Sequence, residues 1–197
     1  IKDPSKGYKF PDSPMMDLKV RRALNKAINR DEINKTLLEG KGDLLINNHF
    51  HPLYRKGWNP DWERRFPKEL GYDPEGAKAL LAEAGYGPNN PPTTTLISAP
   101  VAGVPSGQDI GESLAKYWRA VGFNIQLAPM DPGQVSQATR QLQLKNHLDI
   151  LTTGTTQWGS AYAYIGGITS RGSKVELGDV DDALNELQVT GDEKKQE

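Results

Sequence analysis

The sequence has no cysteine, and this absence excludes disulfide bonds, thiolate catalysis and cysteine-ligated metal sites. It also lacks any apolar run of roughly 18 residues, the length that a membrane-spanning helix requires. An excess of one charge is missing too, because 24 Lys and Arg residues offset 25 Asp and Glu residues to a net charge of −1. This balance gives no electrostatic reason to expect nucleic acid or a membrane surface as a partner.

Familiar catalytic motifs are absent from the sequence as well: it has no G-x-S-x-G elbow, no H-E-x-x-H pair and no P-loop. What the chain does have is 197 residues, of which 36% are hydrophobic. That is enough to bury one sizeable core, so one domain is predicted over residues 1–197. An extended segment is expected at residues 1–16 and a frayed tail at residues 190–197.

A first helix is predicted over residues 17–29, with Asp17 as its N-cap. Its apolar positions recur at the spacing of one helix face, which indicates a single stripe turned toward a core. That stripe comprises Val20, Ala23, Leu24, Ala27 and Ile28. A second helix is predicted over residues 31–39, opened by Asp31 and Glu32 and ended by Gly40.

A third helix is predicted within residues 72–86, where Asp73 occupies the N-cap, Pro74 the first helical position and Gly85 the position just past the end. Its stripe comprises Ala77, Leu80, Leu81 and Ala84. Before it, a short strand is expected at residues 43–46 and an irregular stretch at residues 47–71. In that stretch Pro52, Pro60 and Pro67 interrupt longer elements, and Trp58, Trp62 and Phe66 are expected to anchor the chain.

The second half of the chain alternates strands and helices, which predicts an α/β fold: a mixed sheet with βαβ crossovers, flanked by helices. Strands are predicted at residues 93–98, 123–127 and 148–153, and helices at residues 106–121 and 131–145. A loop rich in Gly, Ser, Thr and Tyr is expected at residues 154–174. A last helix is expected around residues 180–187.

Three of these segments resemble family 5 of the extracytoplasmic solute-binding proteins. Residues 17–33 and 72–86 look like the family's D-x-R-V-R-x-A-L-x-x-A-I-D-R and Y-D-P-x-x-A-K-x-L-L-x-E-A-G-Y segments, and residues 121–125 resemble its G-I-x-V region. The resemblance implies that the chain is the second lobe of a type II periplasmic-binding-protein-like fold. It also implies a function: capture of a solute, a peptide or another small molecule, between two lobes, and delivery to the permease of an ABC importer.

The resemblance carries further expectations about partners and location. They are a periplasmic or otherwise extracytoplasmic location, contact with ABC permease subunits, and a monomer completed by a first lobe of the same polypeptide. No enzyme activity, cofactor, metal or nucleic acid is expected for this chain.

The resemblance places a ligand loop after the third strand. Many peptide-binding members carry W-x-A-D-Y there, and the aspartate pairs with the free amino terminus of the peptide, because a buried ammonium needs an opposing carboxylate. This chain has Trp158 and Tyr162 at the matching positions, but Ala161 stands where the aspartate is expected, and no Asp or Glu occurs between Asp149 and Glu176. Solutes without a free amine are therefore favoured. Ligand contacts are predicted for Thr155, Gln157, Trp158, Tyr162 and Tyr164.

Other interpretations of the sequence stay open. His49 and His51 could share a metal ion if they alternate on a strand, or could serve an α/β hydrolase or transferase, although a polar loop is the simpler interpretation. Residues 103–107 could hold an anion through backbone amides, or form an ordinary strand-to-helix turn. Residues 54–66 interleave basic and aromatic side chains that could contact nucleic acid, but neighbouring acids break the positive field. A sensor or chaperone lobe of the same family is a further alternative.

Overall fold

The computed structural model describes residues 12–46, 58–98, 100, 103–141, 143, 145–150, 186 and 189. By its contacts the chain divides into two compact units. The larger unit comprises Tyr8–Leu44 and Glu63–Thr152, and the other comprises Ile1–Gly7, Leu45–Trp62 and Thr153–Glu197. The prediction of a single domain over residues 1–197 stays a prediction. Within the described ranges, no helix combines the length and the apolar character needed to cross a membrane.

The larger unit is built from helices around one parallel sheet. A 3₁₀ turn at Pro14–Met16 precedes α1 (Leu18–Lys26), α2 (Arg30–Leu37), α3 (Asp61–Glu69, of which Glu63–Glu69 belong to this unit), α4 (Pro74–Glu83), β1 (Thr93–Ser98), α5 (Gly107–Ala120), β2 (Asn124–Pro129), α6 (Pro132–Arg140) and β3 (His147–Asp149). The described strands lie in the order β2-β1-β3, and both pairings are parallel. The predicted α/β fold with βαβ crossovers is confirmed.

Helices α1 and α4 begin at the predicted N-caps. An Asp17 carboxylate oxygen accepts a hydrogen bond from the Lys19 amide at 2.7 Å, and an Asp73 oxygen accepts one from the Gly76 amide at 2.8 Å. Such caps satisfy amides that have no partner inside the helix. The predicted stripes are the buried faces of the two helices, with Val20, Ala23, Leu24, Ala27, Ala77 and Leu81 in the core. The capping residues and the spacing of apolar residues in the sequence are therefore sufficient to predict these two helices.

One core joins α1, α4, α5 and the sheet. The central strand β1 is covered on both faces, since the neighbouring side chains of Leu96 and Ile97 point to opposite sides and are 0% and 1% exposed. Burial of each side chain stabilises the fold by roughly 1.5–3 kcal/mol. Trp118 of α5 enters the same core and donates its indole N–H to the Leu24 carbonyl at 2.9 Å.

Polar contacts join α2 and α3 to the rest of the larger unit. Arg30 donates to the carbonyls of Asn25 at 3.2 Å and Leu70 at 3.4 Å, and its guanidinium lies 5.5 Å from the centre of the Phe66 ring. Burial lowers the pKa of Arg30. The anchoring predicted for Phe66 is thus confirmed. On α5, burial together with a hydrogen bond to Glu32 raises the pKa of Tyr117 to about 12.

The strand predicted at residues 43–46 is wrong, because no strand forms there and Leu44 is 53% exposed. The chain is held by a side chain instead of a neighbouring strand. Asn34 accepts a hydrogen bond from the Gly42 amide and donates one to the Gly42 carbonyl, both at 2.8 Å. Gly42 lies immediately before the predicted strand, so this pair of bonds occupies the backbone groups of the residue that leads into it.

The irregular stretch predicted at residues 47–71 is wrong over Asp61–Glu69, where α3 forms with Pro67 inside it. Asn59 supports the start of this helix, since its side-chain oxygen accepts a hydrogen bond from the Asp61 amide at 3.0 Å. Pro67 lies in the last turn, and the amides of Leu70 and Gly71 both close on the Phe66 carbonyl. A proline so near the end removes one helical bond without preventing the helix.

Several element boundaries also differ from the prediction. Helix α2 begins at Arg30, one residue earlier than predicted, and the side-chain oxygen of its N-cap, Asn29, accepts from the Glu32 amide at 3.0 Å. Helix α6 ends at Arg140 instead of Lys145. Beyond this end, the Gln143 amide donates to the Ala138 carbonyl. Strand β3 begins one residue before the predicted start. Of the predicted last helix, residue 186 is described and is helical, as is residue 189 just beyond the predicted range.

Candidate functional site

The strand order creates a distinct position at one edge of the sheet. From β1 the chain crosses through α5 to β2 on one side, and from β2 it crosses through α6 to β3 on the other side of β1. The chain thus moves first to one side of β1 and then across to its other side, so the strand order reverses between β1 and β3, which flank a topological switch point. In open α/β sheets, ligands bind outside the carboxyl ends of the strands at such a point. This edge is therefore the candidate site.

The carboxyl ends of the strands are held in register at this edge. Ile97 of β1 is paired with Asp149 of β3, and the Met130 amide donates to the Ser98 carbonyl at 3.3 Å. Beneath the edge, α5 approaches the sheet closely through buried Gly111, where a β-carbon would lie 3.5 Å from a methyl carbon of Ile150. The ends of β1 and β3 thus rest on a packed support, as a binding edge requires.

Helices α5 and α6 both begin at this edge, because each follows the carboxyl end of a strand. Asp131 and Gln134 close the start of α6 reciprocally: the Gln134 amide donates to Asp131 at 2.9 Å, and the Asp131 amide donates to the Gln134 side chain at 3.0 Å. This capping box was visible in the sequence as D-x-x-Q but was not predicted beyond Asp131 and Pro132. Its carboxylate occupies the amides that an anion would otherwise use.

The start of α5 is a turn, as the simpler interpretation of residues 103–107 predicted. Gly103 has a positive φ of 76°, a conformation that glycine adopts without a steric cost. The Gly107 amide donates to the Val104 carbonyl at 3.0 Å, so this amide already has a partner. Ser106 caps the helix without a side-chain hydrogen bond.

The predicted ligand-contact residues lie outside the described residues. These are Thr155, Gln157, Trp158, Tyr162 and Tyr164, together with Ala161 at the position of the expected aspartate. Their contact with a ligand stays a prediction. His49 and His51, the residues of the metal and hydrolase alternatives, also lie outside the described residues.

His147 is the one histidine whose surroundings are described. It begins β3, at the amino edge of the sheet and opposite the switch point, and its Nδ1 lies against the Lys145 carbonyl. Among the residues that the structure describes, no three His, Cys, Asp or Glu side chains cluster in a way that could hold a metal ion. His147 therefore contributes nothing to the candidate edge.

Comparison with protein families gives a match over most of the chain. The family described as "Bacterial extracellular solute-binding proteins, family 5 Middle" matches residues 6–174. Similar curated proteins include the dipeptide-binding protein of Escherichia coli K12, 31% identical over 129 residues, which is 64% of this chain and 22% of that protein. Another is heme-binding protein A of Haemophilus influenzae, 34% identical over 111 residues, or 56% of this chain and 19% of that protein.

Solved structures show the same fold. NikA from Staphylococcus aureus in complex with Ni(L-His)2 superimposes with a TM-score of 0.71 at 22% identity, over 94% of this chain and 38% of that chain. OppA from Haemophilus influenzae in complex with the peptide RPPGFSPFR superimposes with a TM-score of 0.69 at 19% identity, over 95% of this chain and 36% of that chain. The chain therefore spans about a fifth of the length of the curated relatives and somewhat over a third of the solved chains. The match over residues 6–174 shows that the chain belongs to family 5 of the bacterial extracellular solute-binding proteins.

Proposed function

We propose that this chain is the second lobe of a solute-binding receptor that delivers its cargo to an ABC importer. The observation that carries the proposal is the family match over residues 6–174, on a sheet whose β1 and β3 meet at a topological switch point. In a two-lobe receptor the ligand bridges the lobes and shifts an equilibrium between open and closed forms. The chain performs no chemistry on the solute in this proposal.

The proposed ligand loop follows the candidate edge directly in the sequence. Four residues lie between Ile150 and Thr155, and the five steps of extended chain that join these two residues span at most about 18 Å. The loop carries aromatic side chains at Trp158, Tyr162 and Tyr164 and polar groups at Thr155 and Gln157. Such a combination offers apolar area to a solute together with a few hydrogen bonds that fix its orientation.

The sequence of this loop favours a solute without a free ammonium group. Between Asp149 and Glu176 there is no carboxylate, whereas Arg171 and Lys174 are basic. A desolvated ammonium left without an opposing charge loses several kcal/mol. The relatives illustrate the range of solutes in the family, since those named above are described with a dipeptide, heme, a nickel–histidine complex and a nine-residue peptide. We propose a neutral or anionic solute for this chain.

The remaining parts of the proposal concern location and partners. The receptor works on the extracytoplasmic side of the membrane, in the periplasm where the source has one, and its partners are the permease subunits and a first lobe of the same polypeptide. The chain itself is a monomer. None of the relatives described above is named as a hydrolase or transferase, so no observation favours the alternative based on His49 and His51.

Titration calorimetry tests the proposal. We expect a receptor that carries both lobes to bind one member of a panel comprising a free dipeptide, the N-acetylated dipeptide, a nickel–histidine complex, heme and an oligosaccharide. The 197-residue chain alone should bind that solute at least about 100-fold more weakly, because half of the contacts are missing. Equal affinity for the isolated chain would contradict the half-cleft proposal.

Substitutions in the two-lobe receptor test the individual residues. Trp158→Ala is expected to weaken binding by 10-fold or more, a typical loss for a buried aromatic anchor, whereas Tyr72→Ala, at a position that is 52% exposed, should leave the affinity unchanged. Ala161→Asp should improve binding of the free dipeptide and leave the N-acetylated dipeptide unaffected. If Ala161→Asp changes both dipeptides equally, the proposed role of that position is wrong.

A further inference from the structure

Strand β2 forms one edge of the described sheet and pairs with β1 only. The Asn124 amide donates to the Pro92 carbonyl at 3.0 Å and the Met130 amide donates to the Ser98 carbonyl at 3.3 Å. In a parallel pair the residues that bond to a given neighbour alternate along the strand. Residues 124, 126, 128 and 130 therefore turn their backbone groups toward β1, while Ile125, Leu127 and Pro129 turn theirs outward.

An outward-facing edge of this kind is a hazard, since unpaired N–H and C=O groups can pair with a strand of another molecule. Strand β2 is open to such pairing because its residues are accessible. Leu127 is 38% exposed, and Asn124, Gln126 and Pro129 are exposed too. Apolar Leu127 at the middle of the edge would add buried area to such a pairing.

The outward groups of β2 are blocked at two of their three positions. Arg119, from the last turn of α5, donates from Nε at 3.2 Å and from Nη2 at 2.7 Å to the Ile125 carbonyl. Pro129 has no N–H to offer. Leu127 is left as the single outward position at which both an N–H and a C=O could accept a new strand.

We infer that Arg119 protects the β2 edge and prevents this strand from pairing with a strand of a second copy of the chain. Its guanidinium occupies a carbonyl that a pairing strand would need, and its positive charge adds a side chain that natural proteins use to discourage edge pairing. Arg119 is itself exposed, so water can replace it at the Ile125 carbonyl with little effect on the folded monomer. Removal of Arg119 should therefore change association more than stability.

The test is sedimentation velocity of the 197-residue chain over a range of concentrations, for wild type, Arg119→Gln and the control Arg22→Ala. Glutamine matches arginine in helix propensity, so α5 is preserved, and Arg22 is exposed on α1. We expect the sedimentation coefficient of Arg119→Gln to rise with concentration, with wild type and Arg22→Ala remaining at the monomer value. Thermal unfolding of all three at low concentration should show similar midpoints.

A second substitution shows whether association uses the β2 edge. Leu127→Pro removes the outward N–H of Leu127, and Leu127→Lys places a charge there instead; either one, added to Arg119→Gln, should restore the monomer. If Arg119→Gln precipitates on expression, recovery of soluble monomer in either double variant supports the inference. A monomeric Arg119→Gln at all concentrations, or association that both double variants retain, would overturn it.

Discussion

The hydrogen bond between Trp118 and Leu24 allows the sharpest test of how this fold is held together. The Leu24 carbonyl lies in the last turn of α1, and the Ile28 amide, which would normally bond to it, donates to the Asn25 carbonyl at 3.3 Å. The indole N–H of Trp118 donates to the Leu24 carbonyl in place of that amide, at 2.9 Å, although Trp118 and Leu24 are 94 positions apart in the sequence. We therefore predict that Trp118→Phe leaves a buried carbonyl without a partner.

The expected loss follows from two contributions. An unpaired buried acceptor costs about 1–3 kcal/mol. The smaller phenyl ring also gives up roughly 40 Å² of apolar contact, which corresponds to about 1 kcal/mol. Trp118→Phe should thus lower the free energy of unfolding by about 2–4 kcal/mol, a large part of the stability of an ordinary domain.

Urea denaturation followed by circular dichroism measures this loss, and the denaturant dependence of the unfolding free energy should stay constant if only the folded state is affected. A synthetic isostere, β-(3-benzothienyl)alanine at position 118, separates the two contributions because it keeps the shape of the ring and replaces its N–H by sulfur. Leu18→Ala, at a position that is 50% exposed, is the surface control and should change stability by less than about 0.5 kcal/mol. The reasoning is refuted if the isostere is as stable as the wild type.

Three other perturbations follow from the described contacts. Gly111→Ala should raise the thermal midpoint, because the new β-carbon meets its nearest neighbour at an ordinary 3.5 Å and alanine favours a helix by up to about 1 kcal/mol; a fall in the midpoint would show that the contact between α5 and the sheet cannot accept a methyl group. Gly85→Ala should lower the midpoint although nothing lies within 4 Å, since φ is +84° there and the strain falls on the backbone alone; an unchanged midpoint would contradict this. The Gly76 amide, followed by Lys26, holds the pKa of Asp73 below its ordinary value, so the ionised carboxylate stabilises the folded state above the unfolded pKa and this contribution is lost as the pH falls through the folded pKa. Asp73→Asn, which retains the cap, should therefore be less stable than the wild type near pH 7, and the difference should shrink below about pH 4 in pH-dependent urea titrations; a difference that is constant with pH would contradict the linkage.

The sequence predicts those elements whose signals are local. Asp17 and Asp73 lie at helix starts, the stripes of α1 and α4 recur at helical spacing, and the β-branched run at Thr93–Ser98 is a strand over its full length. In each case the residues that decide the conformation are neighbours in the sequence. Agreement between propensity, capping and apolar pattern leaves little room for tertiary structure to override them.

The failures of prediction arise where a distant or unexpected partner decides the conformation. Asn34 holds both backbone groups of Gly42, immediately before residues 43–46, a contact that no local pattern reveals. Helix α3 accommodates Pro67 because the proline falls in its last turn, and a rule that treats every proline as a break misses this position. In both segments the amino-acid composition alone does not show which partners the backbone groups find.

The candidate site shows the same division between local and distant information. The sequence predicts three strands linked by crossovers, but it does not determine that β3 pairs with β1 instead of with β2. Because β3 lies on the side of β1 away from β2, the strand order reverses between β1 and β3, and this reversal marks the candidate position for a ligand beside the ends of these two strands. Under the proposed function the loop residues supply the specificity, and the absence of any carboxylate from residue 150 to residue 175 argues against a cationic solute. Different residues form the sheet and the proposed ligand loop. We therefore expect Ala161→Asp to alter the preferred solute without changing the fold of the sheet.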